Sequence, residues 1–179
     1  MIVLNVGCGE SRALPAEFDG WQQVLLDIDP TVQPDIVCDA LNLLSLPPAR
    51  YDGVHCSHNL EHFYAHDVPR VLAGFKHVLK PGGLVYITVP NLRSLMQKIV
   101  GGNLDIDDVW YRAGECSPVT FHDVLFGWSL AMRQGNLFYA HKCGFTPLSL
   151  NTALVNAGFV DVKIAASEVN IIGTARTCH

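Results

Sequence analysis

The sequence has no long apolar run, no closely spaced cysteine pair and no concentration of basic residues. Its apolar stretches fall short of the roughly 18 residues of a membrane span, and Asn5, Gly7 and Glu10 interrupt the amino terminus before a signal-peptide core could form. The six cysteines include no C-x-x-C pair, which favours small core residues over a zinc site or a disulfide framework. The 12 Lys and Arg residues are scattered and the net charge is -5, so a nucleic-acid substrate is disfavoured. We therefore expect a cytoplasmic protein that makes no membrane contact.

The composition and the predicted strands and helices indicate one α/β domain over residues 1–179. The chain is 49% hydrophobic, which is enough for one substantial core but not for two. The predicted strands cover the residues before Gly7 and the ranges 21–28, 35–38, 51–57, 84–89, 159–165 and 169–174, the last two pairing as an antiparallel hairpin. Helices are predicted from an Asp67 cap to the stop at Lys80-Pro81-Gly82-Gly83, and over 146–156. Too few residues separate the second and third strands for a full crossover helix there.

Residues 92–145 interrupt the alternation of strands and helices. The pattern predicts a helix over 92–100, a loop over 101–118 and an amphipathic helix over 120–133, with Thr120 and Asp123 spaced as a capping box. A segment of this length in a small domain is expected to cover a substrate pocket, and a dimerisation surface is the alternative.

The first predicted strand ends in the turn Gly7-Cys8-Gly9. Ligands of open α/β sheets bind at the carboxyl ends of the strands, and glycines let the backbone approach a ligand where a Cβ would collide. The turn therefore predicts a ligand site.

Six short motifs, taken in order, resemble those of class I S-adenosylmethionine-dependent methyltransferases, and more narrowly the short predicted methyltransferases of bacteria. They are Leu4 to Gly9, Asp29 after strand two, Asp39-Ala40-Leu41 after strand three, Tyr51 to Val54, Ser57 to His62 and Leu79 to Gly83. The resemblance covers residues 2–90 and 145–175. It implies a Rossmann-like, mostly parallel sheet with reduced helices after strands two and three, and methyl transfer to a small or medium acceptor.

On this resemblance, the cofactor S-adenosylmethionine would lie along the strand ends. Asp29 would accept hydrogen bonds from the ribose hydroxyls, Asp39 from the adenine amine, and the amide of Ala40 or Leu41 would donate to a ring nitrogen. The predicted cofactor-binding residues are Gly7, Cys8, Gly9, Asp29, Asp39, Ala40, Leu41, Ser57, His58, Asn59 and His62.

Methyl transfer needs a base only if the acceptor must lose a proton. His62 follows strand four, an element that borders the sulfonium in the family it resembles, and the segment 92–145 offers Tyr111, His122, Tyr139 and His141. The predicted catalytic residues are His62, His141 and Tyr111.

The spacing of three histidines allows a metal site as an alternative. His58, His62 and His66, with Glu61, would share one face of a helix as zinc ligands can. The methyltransferase pattern accounts for this stretch without metal, so no metal is expected.

Two other functions stay open. A nicotinamide-dependent oxidoreductase also has a glycine turn and an acid after strand two, but Arg12 stands where its third glycine belongs and Glu10 would lie near the diphosphate. A non-catalytic S-adenosylmethionine sensor or complex subunit fits the reduced helices and a chain that starts directly at strand one. The sequence has no Asn-Pro-Pro-aromatic element of the kind that marks enzymes methylating nucleobases or glutamine, which argues against those acceptors. A homodimer is also possible.

Overall fold

A seven-stranded sheet forms the centre of the computed structural model, which describes residues 1–102, 104–113 and 117–178. The strands are β1 (Ile2–Val6), β2 (Gln22–Asp27), β3 (Ile36–Val37), β4 (Tyr51–Ser57), β5 (Leu79–Pro90), β6 (Val109–Ala113), β7 (Ser117–Thr120), β8 (Val160–Ala166) and β9 (Asn170–Arg176). The helices are α1 (Val68–Val78), α2 (Leu92–Gly101), α3 (Phe121–Phe126), α4 (Ser129–Arg133) and α5 (Pro147–Asn156).

The sheet has the order β3-β2-β1-β4-β5-β9-β8. The strands from β3 to β5 pair in parallel, whereas β9 pairs antiparallel with both β5 and β8. The predicted α/β class and the antiparallel hairpin at the end of the chain are therefore confirmed. Only short 3-10 turns, Pro30–Val32 and Ala40–Ser45, follow β2 and β3, so the reduced helices are also confirmed.

The two faces of the sheet are covered differently. Side chains alternate along each strand, so Leu4, Val54 and Val85 face the apolar sides of α1 and α5 and form the main core. On the other face, Phe18 packs with Val3, Tyr86 and their neighbours in a small separate cluster. One face is thus covered by helices and the other by the segment around Phe18.

Four local predictions were wrong. The helix ends before Lys80 as predicted, but residues 80–83 belong to β5, which begins at Leu79 instead of residue 84. The predicted loop 101–118 contains β6 and the start of β7. The predicted helix 120–133 is divided at Gly127, which has φ +103° and whose missing Cβ leaves room for the Tyr139 carbonyl oxygen. The Asp67 side chain makes no capping bond to α1.

The capping box predicted at the start of α3 is present. The Thr120 hydroxyl accepts from the Asp123 amide at 3.1 Å, and the Asp123 carboxylate accepts from the Thr120 amide at the same distance. Cys8 and Cys56 are buried as predicted, but Cys178 is exposed, and Cys116 lies outside the described residues. No described helix has the length and apolarity of a membrane span.

Candidate functional site

The turn after β1 lies at the carboxyl ends of the central strands. Gly7 and Gly9 have φ values of +66° and +52°, in the left-handed region that favours glycine. The amides of Gly7 and Cys8 both donate to the Leu26 carbonyl, at 2.8 and 3.2 Å, which folds the turn toward β2. A Cβ on Gly7 would meet the end of the Asn59 side chain, which would have to shift, and the positive φ itself favours glycine here.

Two aspartates, Asp27 and Asp29, lie at the end of β2 and have different surroundings. Asp27 is buried, and its carboxylate accepts from the amides of Gly9 at 2.8 Å and Asp29 at 2.9 Å. Asp29 is half-buried and accepts from the amide and hydroxyl of Thr31 at 2.8 and 2.6 Å, so it caps a 3-10 turn. These Thr31 hydrogen bonds hold the pKa of Asp29 below its ordinary value. Asp27 is therefore the carboxylate that is built into the glycine turn.

Asp39 similarly caps the 3-10 turn that follows β3. Its carboxylate accepts from the Leu41 amide at 2.9 Å. The Leu41 amide is thus occupied within the chain, and of the two amides predicted to meet a ring nitrogen, that of Ala40 is the better placed.

Two clefts meet at these strand ends. The first, here the Asp39 cleft, has a volume of about 210 Å³ and is lined by Cys38, Asp39, Ala40, Leu41, Phe63 and others. The second, the glycine cleft, has a volume of about 390 Å³ and is lined by Cys8, Gly9, Glu10, Asp29, Ser57, His58 and others. Asp27 lines both clefts, and among the residues that the structure describes it is the only carboxylate that does so.

A third cavity, the histidine pocket, lies beside the glycine cleft. It has a volume of about 260 Å³ and is lined by His58, Glu61, His62, Pro90, Tyr111, Val119, Asp123, Val124, Trp128, Tyr139 and His141. Within the described part of the chain, His62 alone lines this pocket and both clefts. Its position marks the point where a ligand along the strand ends would meet a ligand in the histidine pocket.

Backbone hydrogen bonds bring Glu61 and His141 together although they are far apart in sequence. The amides of Lys142 and Cys143 donate to the Glu61 carbonyl at 2.8 and 3.2 Å. His141 is held from the other side, because its amide donates to the Phe126 carbonyl and its Nδ1 lies 2.9 Å from the Val124 carbonyl. The His62 and His141 rings consequently lie 4.9 Å apart between centroids.

Burial sets the ionisation of the groups in the histidine pocket. Burial lowers the pKa of His141 and raises the pKa of Tyr111, which favours the neutral form of both. Burial alone would raise the pKa of the Glu61 carboxyl, but the contact with His58 and the nearby imidazoles of His62 and His141 outweigh it and hold the pKa low. Glu61 is therefore a buried anion.

Comparison with known proteins identifies the family to which the chain belongs. The family model of a methyltransferase domain matches residues 1–164. The chain belongs to this methyltransferase family. The prediction of a methyltransferase is confirmed, and the oxidoreductase alternative is set aside. None of the curated proteins matches the chain significantly.

Solved structures of methyltransferases share the fold. An S-adenosylmethionine-dependent methyltransferase from Archaeoglobus fulgidus matches with a TM-score of 0.61 and 19% identity, over 98% of this chain and 86% of that one. The 1,6-didemethyltoxoflavin-N1-methyltransferase of Burkholderia thailandensis matches with a TM-score of 0.59 and 18% identity, over 99% and 71%. Human N-acetylserotonin methyltransferase matches with a TM-score of 0.61 and 16% identity, over 99% and 48%. The TM-scores of these matches show that the chain shares the class I methyltransferase fold. The identities are too low to indicate the acceptor.

The structure places all the predicted site residues of this methyltransferase around these cavities. Each predicted cofactor-binding residue lines the Asp39 cleft or the glycine cleft, and His62, Tyr111 and His141 line the histidine pocket. Tyr139 also lines that pocket, whereas the His122 ring packs on Phe126. Asp27, which the sequence prediction did not include, also lines both clefts, and its place as the last residue of β2 is a usable signal.

The three histidines of the alternative metal site, His58, His62 and His66, are not brought together. His66 is 80% exposed and lies beside Asp67, while the segment 58–66 contains only the 3-10 turn Leu60–His62 instead of a longer helix. The group that does form is Glu61, His62 and His141, whose possible ligand atoms all lie within 4.8 Å of one another. The pairing of Glu61 with His141 could not be read from local spacing.

Proposed function

We propose that this methyltransferase transfers a methyl group from S-adenosylmethionine to a small or medium acceptor held in the histidine pocket. The observation that carries the proposal is the shared wall at His62, which joins two clefts shaped for a nucleoside and its side chain to a separate third pocket. When bound, S-adenosylmethionine supplies a methyl group on a sulfonium, which is a good leaving group.

The charges of the glycine cleft fit this cofactor. Glu10, Asp27 and Asp29 line the cleft, and three carboxylates suit the sulfonium and ammonium groups of S-adenosylmethionine. The same carboxylates would repel the diphosphate of a dinucleotide. This electrostatic preference supports the methyltransferase assignment from the chain's own residues.

The ribose is assigned to Asp27 instead of Asp29. Ribose joins the adenine to the methionine chain, so its diol belongs where the Asp39 cleft and the glycine cleft meet, and Asp27 lines both. A carboxylate accepting from two hydroxyls makes strong, charge-assisted hydrogen bonds. Asp39 and the Ala40 amide are proposed to contact the adenine edge, while Asp29 shapes the wall beside it.

The segment 92–145 is proposed to cover the acceptor. It supplies most of the wall of the histidine pocket, including Tyr111, Asp123, Trp128 and His141. A volume of about 260 Å³ lies just below the range of roughly 300–1,000 Å³ for small-molecule sites, which favours a small acceptor. The expected cytoplasmic location and the possible homodimer stay predictions.

The proposed chemistry asks for positioning and, for a hydroxyl acceptor, a base. The acceptor atom forms a bond to the methyl carbon as the carbon–sulfur bond breaks, and the electron pair leaves on sulfur. His141 Nδ1 donates to the Val124 carbonyl, which leaves the Nε2 lone pair free to take the acceptor's proton. Tyr111 keeps its proton and can donate to the acceptor.

The test is binding and transfer measured separately. We expect S-adenosylhomocysteine to bind in calorimetric titration, and a labelled methyl group to move from S-adenosylmethionine to a component of a small-molecule extract. His141→Asn should retain S-adenosylhomocysteine binding and lose most of the transfer. Absence of binding would contradict the proposal, and binding without transfer to any acceptor would favour the sensor function.

A further inference from the structure

The histidine pocket contains a buried carboxylate without a hydrogen bond. Glu61 is 1% exposed, and neither of its carboxylate oxygens has a hydrogen-bond partner within the described structure. His58 Nδ1 lies 3.4 Å from Oε1, which is an ion-pair contact without hydrogen-bond geometry. An unpaired buried carboxylate is costly, so this one calls for a positively charged partner.

His141 presents a free nitrogen to the same place. Its Nδ1 lies 2.9 Å from the Val124 carbonyl and donates to it, which fixes the tautomer with the lone pair on Nε2. Metal-binding histidines are commonly oriented in this way, one nitrogen donating to a backbone carbonyl and the other facing the cation.

His62 cannot satisfy Glu61 in its present orientation. Its Nδ1 lies 3.1 Å from the Ala140 carbonyl and its Nε2 lies 3.1 Å from the His58 carbonyl. A neutral imidazole has one N–H and can donate to only one of these oxygens. A protonated imidazole would donate to both carbonyls and still give Glu61 no hydrogen bond. In either state, His62 leaves both carboxylate oxygens of Glu61 without a hydrogen bond, and His58 is their one close ion-pair contact within the described structure.

We propose that Glu61, His62 and His141 bind a divalent transition-metal cation, of the zinc, manganese or iron(II) kind, at the floor of the histidine pocket. One carboxylate oxygen and two imidazole nitrogens are a donor set that such cations accept, and the possible ligand atoms already lie within 4.8 Å of one another. His62 reaches the cation by a ring rotation that gives up one of its two carbonyl contacts. This site replaces the sequence expectation of no metal.

The cation would select the acceptor class. Three protein ligands leave coordination positions open toward the pocket, where an acceptor oxygen can bind. A hydroxyl bound there would have a lowered pKa and would release its proton to water; His141 would then hold the cation, and water would replace it in the role of base given above. One carboxylate, one divalent cation and one acceptor oxyanion sum to zero charge. This part of the inference, an acceptor with a hydroxyl group, rests on the proposed function.

The test uses the purified full chain after treatment with a chelator. We expect Zn²⁺ to bind with one ion per chain in calorimetry, and Co²⁺ to give visible absorption bands of a low-symmetry site with nitrogen ligands. Glu61→Gln and His141→Gln should each weaken Zn²⁺ binding by at least about 100-fold, since loss of a direct ligand exceeds the 10–100-fold loss of an outer partner. His66→Gln is the matched control and should bind as wild type, because His66 is exposed and outside the pocket.

The outcomes separate this inference from the proposed function. Absence of stoichiometric Zn²⁺ and Co²⁺ binding to folded wild-type protein would overturn the metal site, and so would unchanged binding in both ligand variants. Wild-type Co²⁺ spectra keep the test decisive if Glu61→Gln does not fold. Metal binding without S-adenosylhomocysteine binding would contradict the proposed function and would still support the metal site. Methyl transfer that is equal with and without metal would overturn the contact with the acceptor.

Discussion

Replacing Asp27 with asparagine tests which of the two aspartates after β2 holds the ribose. The Asp27 carboxylate accepts from the Gly9 amide at 2.8 Å and from the Asp29 amide at 2.9 Å, within the buried wall shared by the two clefts. Asparagine keeps the shape but places an amide group opposite one of these two donors. The variant therefore lacks both the charge offered to the ribose and one hydrogen bond that sets the glycine turn.

The size of the effect follows from the hydrogen bonds involved. A hydrogen bond to a charged group contributes about 1.5–3 kcal/mol, and about 1.4 kcal/mol corresponds to a factor of ten in Kd. We therefore expect Asp27→Asn to weaken S-adenosylhomocysteine binding by about 10- to 100-fold. Asp29→Asn is the matched control, because asparagine can still cap the turn at Thr31 and removes only the charge. We expect its Kd to rise by less than tenfold, because it loses only one of the three carboxylate charges that face the cofactor's cationic groups.

The assay is isothermal titration of S-adenosylhomocysteine at a temperature where urea unfolding shows both variants to be folded. The reasoning is refuted if Asp29→Asn loses affinity by tenfold or more while Asp27→Asn binds as wild type. That result would return the ribose to the residue expected from the sequence.

Three further predictions concern stability. Burial lowers the pKa of His55 to about 4, so between pH 6.5 and pH 4 the unfolded chain takes up a proton that the folded chain refuses. Through this group alone, the free energy of unfolding should fall by about 3 kcal/mol from pH 7 to pH 4, and His55→Gln should lack this part of the pH profile in urea titrations. Gly7→Ala and Gly9→Ala should each cost about 1–2 kcal/mol for their positive φ, with the end of the Asn59 side chain shifting to admit the Cβ at Gly7; losses well below 1 kcal/mol in chemical denaturation would contradict the left-handed conformation of this turn. Asp123→Ala removes the carboxylate that accepts from the Ser129 amide and hydroxyl and so joins α3 to α4, and should cost about 2–4 kcal/mol and loosen the histidine pocket. Thermal unfolding with unchanged stability would show that α4 is held by other contacts.

Predictions from the sequence succeeded where local pattern decides the structure. The strand predicted over 51–57 is β4 with the same bounds, because its apolar residues and its flanking turns lie next to each other in the chain. The break at Gly127 could not be predicted, since it depends on the carbonyl of Tyr139 packing against it. The start of β5 was missed because Pro81, Gly82 and Gly83 usually end an element, whereas here they lie within a strand of irregular register.

The same limit applies to the site. Every residue predicted for the cofactor side lines one of the two clefts, but two aspartates two positions apart fit one pattern equally well. Their burial and partners distinguish them, and those are properties of the folded chain. Glu61 and His141 lie 80 positions apart and meet only because residues 140–143 pack on the segment after β4. A sequence read one window at a time offers no signal for such a pair.

The order of the strands also affects how the protein can be made. β9 lies inside the sheet, between β5 and β8, although it is the last strand along the chain. β8 has no other strand to pair with in the described sheet, so a nascent chain that ends before residue 170 presents two unpaired edges, those of β5 and β8. Completion of the sheet must then wait for the ribosome to release residues 170–176. Until that moment, the unpaired edges of β5 and β8 are available for pairing with another chain.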